Sequence, residues 1–143
     1  MKRTIGKFVV FAIGALAIGV PVGHAQIMNQ IDFKTSQPFT VANTTLAAGA
    51  YIIRPVPGAD QTVLDISSAS GKPSVMVEVE MIQPDAAQSG SHLVFNQYKN
   101  ILTLSQVFPS AGNQGYQLIQ GHLEKQAAKT EKPTKQTVAS TAK

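Results

Sequence analysis

The stretch HLVFNQYKNILTLSQVF, from His92 to Phe108, reads as two strands joined by a tight turn. With Lys99 and Asn100 as a two-residue loop, Phe95 faces Leu104, Gln97 faces Leu102 and Leu93 faces Gln106. Leu93, Phe95, Leu102, Leu104 and Phe108 then share an apolar face. His92, Asn96, Thr103 and Ser105 fall on the other, mostly polar, face among Val94, Tyr98, Ile101 and Val107. That is the pattern of a half-buried antiparallel sheet, and the neighbouring segments extend it.

Upstream, Ile31 to Lys34 alternates with period two, and so does Phe39 to Val41 after the Gln37-Pro38 break. Asn43 to Gly49 reads as a turn leading into a strand at Tyr51 to Arg54, which Pro55, Pro57 and Gly58 end. Thr62 to Ser67 is a further strand. Ser74 to Ile82 is the longest, with Val75, Val77, Val79 and Met81 on one face and Met76, Glu78 and Glu80 on the other. Pro84 to Gly90 and Pro109 to Gly115 read as loops. About seven short strands with such connections indicate an all-β sandwich or small barrel, mostly antiparallel because the connections are too short for crossover helices. After a last strand at Tyr116 to Ile119, residues 123–129 have the spacing of a short helix, weakened nearby by Gly121. Residues 130–143, rich in Lys, Thr, Pro, Ala and Ser with Val138 as their only sizeable apolar side chain, are expected to be disordered.

The 143 residues allow one ordinary domain. There is no cysteine, which excludes disulfides, thiolate metal sites and cysteine nucleophiles. The net charge of +4 is unevenly spread. Between Gln26 and His122, four basic residues face six acidic ones, leaving −2, whereas from Leu123 onward five lysines face two glutamates, leaving +3. The β-region, residues 26–122, is therefore mildly acidic and does not suggest a nucleic-acid partner. Residues 1–25 have a basic start, an apolar run from Phe8 to Val20, and the ending Gly23-His24-Ala25 after Pro21. Those are the parts of a secretory signal peptide with cleavage before Gln26. The run, about 16 residues counted generously to Gly23, is short for a bilayer span of roughly 20. The expected location is the periplasm or outside the cell.

Pro38 to Val41, Asn43 to Tyr51, Leu93-Val94-Phe95 and Leu104 to Phe108 together resemble a group of small exported bacterial proteins. Its pattern is close to F-x-V-x-N-x-x-L-P-A-G-x-Y, followed by an L-V-F strand and an aromatic-ended L-S-E-V strand. The resemblance covers roughly residues 31 to 125 and implies a β-rich fold and export, with no catalytic residues to carry over. This chain has Ala47 where proline is usual and Gln106 where glutamate is usual.

Chemistry-bearing residues are sparse. Glu78 and Glu80 leave one strand face about 7 Å apart, but no third ligand accompanies them, and a solvated face explains them. His92 and His122 have no acidic neighbour at a ligand spacing, so no metal is expected. Ser67, Ser68 and Ser70 lack a nucleophile elbow, and Ser70-Gly71-Lys72 lacks the rest of a phosphate loop. Asn43-Thr44-Thr45 fits a glycosylation sequon that a bacterial chain usually leaves bare. Tyr51, Tyr98 and Tyr116 fit core-edge positions or a sugar or peptide groove.

Two readings follow. The first is a non-enzymatic exported β-domain, without cofactor, that acts as a structural or interaction module and offers strand edges to a partner. Such a partner is another envelope protein, or an anionic envelope polymer met by Lys125, Lys129, Lys132 and Lys135. The alternative is a small-ligand carrier whose barrel cavity is lined by Phe39, Tyr51, Phe95 and Phe108.

Overall fold

The computed structural model describes residues 30–84, 90–109 and 114–143. The expected signal peptide and most of the two loops before His92 and after Pro109 lie outside the described residues. Among the described residues eleven strands and one helix follow in chain order: β1 (Ile31–Thr35), β2 (Phe39–Val41), β3 (Thr44–Leu46), β4 (Gly49–Pro55), β5 (Val63–Ser68), β6 (Ser74–Ile82), β7 (His92–Gln97), β8 (Leu102–Phe108), β9 (Gly115–Leu118), α1 (His122–Thr130), β10 (Thr134–Ala139) and β11 (Thr141–Ala142). The fold is all-β with one short helix.

The strands follow one path, β10-β7-β8-β9-β6-β5-β4-β1-β11, with β2 attached to β8 and β3 to β2. β6 is long enough to serve two sheets. Its first half pairs with β5 and its second half with β9, so the chain turns the corner without a break in its hydrogen bonds. The path does not close on itself through a ladder. Its two end strands, however, are consecutive in the chain with only Ser140 between them. Residues 134–142 therefore bridge from the edge of β7 to the edge of β1. The expected disorder of this segment is corrected here: its polar side chains bury little, but its backbone finds two open strand edges, and paired backbone groups hold it where apolar burial does not.

The β7–β8 hairpin has the expected Lys99–Asn100 loop, closed by Tyr98 N–H donating to the Ile101 carbonyl at 2.8 Å. Phe95 faces Leu104 and Gln97 faces Leu102, as the alternation requires. Beyond Phe95 the register shifts, because Val94 pairs with Gln106 and Ser105 is left as the extra residue of a bulge. Leu93 consequently faces Val107, not Gln106. The bulge turns Val107 into the core and carries Phe108 to the opposite face, where its ring stacks on His92 at 4.7 Å. Gly115 makes room for it, since a Cβ there would come within 2.5 Å of the Phe108 ring.

The interior between the two sheets is closed by aromatic rings. Phe33, Phe39, Tyr51 and Phe95 lie 5.0 to 6.4 Å apart between ring centroids, Phe39 edge-on to the other three. Ile31, Ile53, Leu64, Ile66, Leu93 and Val107 extend this core at 0% exposure. On β6, Val77 and Val79 face inward, but Met81, although paired with the buried Tyr116, is 67% exposed and departs from the inner row expected for it. Thr44 to Leu46, read as part of a turn, pairs with β2 around the two-residue loop Ala42-Asn43. Ala42 has φ = 52°, a left-handed conformation that costs a side-chain-bearing residue about 1–2 kcal/mol.

Two stability measurements check this packing. Phe95→Ala is expected to lower unfolding free energy in denaturant by about 3–5 kcal/mol; a loss below about 1 kcal/mol would place the ring outside the core. Ala42→Gly is expected to raise it by about 1 kcal/mol, by relieving the positive φ.

Candidate functional site

Three places combine concavity with unusual chemistry. The first is the layer beneath α1. The outer face of β7 and β8 is polar yet buried: Asn96, Thr103 and Ser105 are each 7% exposed or less. Asn96 pairs with Thr103, which in turn lies beside Thr40 of β2. Glu124 of α1, 4% exposed, reaches down onto this layer. Its Oε1 accepts from Asn96 Nδ2 at 2.9 Å and from the Tyr98 hydroxyl at 3.3 Å. Burial, and next the Glu124 charge, raise the Tyr98 phenol above its ordinary value. Burial alone raises that of Tyr116, whose hydroxyl donates to Gln61 Oε1.

The start of α1 is fixed from a distance. Asn43 Oδ1, in the β2–β3 turn, accepts the His122 N–H at 2.6 Å, doing the work of a helix cap from another element. Gly121 is the residue before the helix rather than a weak point inside it. It has to be glycine, because a Cβ would fall 1.9 Å from the Ala42 carbonyl oxygen. At the other end, Glu131 Oε1 accepts the Lys99 N–H at 2.8 Å, tying the β7–β8 turn to the chain leaving α1.

The second place is the final segment and its surroundings. A groove of about 570 Å³ lies on the β1–β4 side, between Asp32, Lys34, Ala50 and Ile52 and the chain from Ala139 to Lys143. Another of about 400 Å³ lies beyond β10, beside Phe95, Leu102, Gln136 and Val138. The segment itself is mostly exposed, with only Gln136, Val138 and Ser140 half-buried. Ser140 holds Ser91 hydroxyl to hydroxyl at 2.5 Å, and Lys143 Nζ pairs with Asp32 Oδ2 at 2.5 Å. The Lys143 ammonium first, and the Gln30 amide second, lower the Asp32 carboxyl below its ordinary value of 3.8.

The third is a polar cleft of about 450 Å³ on the outer face of β6, β9 and β8, beside α1. Glu80, Gln117 and Gln106 stand side by side on these three strands. Gln106 Nε2 donates to Gln117 Oε1 at 3.0 Å, and Gln117 Nε2 donates to the Ser105 carbonyl at 3.0 Å.

Of the four aromatics expected to line a groove, Phe39, Tyr51 and Phe95 come together, with Phe33 as a fourth member that the alternation did not single out. Phe108 is apart from them, on the far side of the bulge. Lys125, Lys129, Lys132 and Lys135 are exposed on α1, the following turn and β10, so they stand on ordered structure and not on a loose tail. Glu78 and Glu80 are exposed, and among the described residues no three His, Asp or Glu side chains gather as a metal would require. Among the described residues, too, no helix is long and apolar enough to cross a membrane, which says nothing of crossing by strands. Glu124 and Asn43, which hold α1, carry no local sequence signal; Thr134 to Val138 does, since Gln136 and Val138 alternate with Lys135 and Thr137. No protein-family model, curated protein or solved structure matches this chain.

The lowered Asp32 value has a definite sign. The ion pair stabilises β11 fully above pH 3.8 and is lost as pH falls through the lower folded-state value. Because both side chains are partly solvated, the effect is local rather than global. Exchange of the Lys143 amide, which donates to the Gln30 carbonyl at 2.8 Å, is expected to accelerate below pH 3.8 once corrected for its intrinsic rate. Asp32→Asn should abolish that acid dependence.

Proposed function

We propose that the chain is an exported, non-enzymatic β-module of the periplasm or cell envelope that works by docking an extended segment of a partner protein. The observation that carries this reading is the placement of residues 134–142. They occupy two strand edges at once, β7 and β1, and are held by backbone ladders, one hydroxyl pair and one exposed ion pair, with little apolar burial. An edge covered by a strand held mainly through its backbone, with Val138 as its one apolar side chain against the core, is of the kind that strand addition by a competitor can take over. The aromatic rings between the sheets are 5% exposed or less, which favours a filled scaffold over an internal carrier. The carrier reading draws on the grooves of about 570 and 400 Å³, which both use the final segment as a wall.

The absence of cysteine makes the test clean. Ser91→Cys with Ser140→Cys places two thiols where the hydroxyls now touch, so oxidation locks the segment down. Envelope proteins crosslinked to the reduced variant are expected to be lost on oxidation and regained on reduction. Equal recovery in both states would remove the docking reading. Uptake of an apolar fluorescent probe that follows the same redox cycle, without any protein partner, would establish the carrier instead.

A further inference from the structure

The bridging segment, residues 134–143, can be lifted without disturbing any other ladder. β7 keeps its pairing to β8, and β1 its pairing to β4, when β10 and β11 are gone. Among the residues of the segment, only Val138 packs against the hydrophobic core. Lifting it therefore opens one valine seat and two strand edges in an otherwise intact fold.

The connection from α1 suits redirection. Glu131 is already extended, at φ = −149° and ψ = 154°. Pro133 fixes its own φ at about −65° and biases Lys132 away from the helical region, so the connection resists folding back into another helical turn. Lys132 and Pro133 are exposed, and the side chain of Glu131 holds the body of the fold through one bond, accepting the Lys99 N–H at 2.8 Å. Swinging the segment toward a neighbouring molecule thus releases one exposed hydrogen bond and little buried surface at the hinge.

The opened seat specifies the strand that fits it. Along β7 it takes an antiparallel strand with a valine, Val138, turned to the core. Beside Ser91 it takes a hydroxyl two residues further on, and beside Asp32 a cation three residues beyond that. The same segment of another copy supplies this order in the same register and repeats every contact of the closed form. We propose that the bridging segment is exchanged between two copies of the chain, each laying residues 134–143 across β7 and β1 of the other. This rests on the reading that these edges accept an added strand, and it names the donor. Because the contacts are alike in both forms, concentration decides between them: a short tether competes at an effective concentration on the order of 1 mM.

The test mixes two single-cysteine variants of the purified full chain, Ser91→Cys and a size-tagged Ser140→Cys, in a sequence that has no cysteine of its own. At about 1 mM of each, oxidation is expected to join about a tenth or more of the chains through a mixed disulfide, falling about tenfold on tenfold dilution. Pairing Ser91→Cys with Lys125→Cys, an exposed position outside the segment, should give about tenfold less, since those sites meet only by collision. Equal yields from the two mixtures would overturn the exchange. So would the absence of a mixed disulfide while the Ser91→Cys, Ser140→Cys double variant still closes its own. Either result leaves strand docking by other proteins standing, because the redox-dependent crosslinks to envelope proteins decide that reading separately.

Discussion

The β7–β8 hairpin is covered on both sides, and this constraint governs the rest of the molecule. One side meets the aromatic interior and needs apolar side chains; the other lies beneath α1 and carries Asn96, Thr103 and Ser105. Buried polar groups are tolerable only when their hydrogen bonds are met, so the helix must arrive with an acceptor in the right place. Glu124 is that acceptor, and its position depends on where α1 begins. Asn43 and Gly121 set that beginning, through a bond from a turn nearly eighty residues upstream and a backbone approach that only glycine permits. Removing any of these would leave a charged or polar group stranded in the layer between helix and sheet.

The run Phe39, Val41, Asn43, Leu46 and Tyr51 acquires a physical meaning from this. Phe39, Val41, Leu46 and Tyr51 are buried in the core, and the Tyr51 hydroxyl donates back to the Ala47 carbonyl at 2.7 Å. Asn43 caps α1. Every one of these side chains has a structural task, so the pattern describes how the fold is built.

Strand existence was legible in the sequence because alternation is a local property. Ser74 to Ile82 and the Lys99–Asn100 turn could be read from neighbouring residues alone. Facing beyond Phe95 could not, since Ser105 resembles any outward polar residue and only pairing with β7 shows that it is the extra one. The same single residue decides whether Val107 or Phe108 enters the core. Order at residues 134–142 is likewise nonlocal: its composition offers little burial, and its stability comes from edges contributed by residues far upstream. The row of Glu80, Gln117 and Gln106 depends on the register of three strands and has no expression in any one of them.

Because β1 pairs with β11, Ile31 sits directly across from Ala142. Adjacent partners in an antiparallel ladder are about 5 Å apart at their Cα atoms. The backbone at the start of β1 and at the end of β11 thus lies side by side. A short splice between those neighbours, with new ends opened at Lys99 and Asn100, would yield a circular permutant whose wall strands keep their present order. In it the bridging segment would be joined covalently at both of the edges it covers.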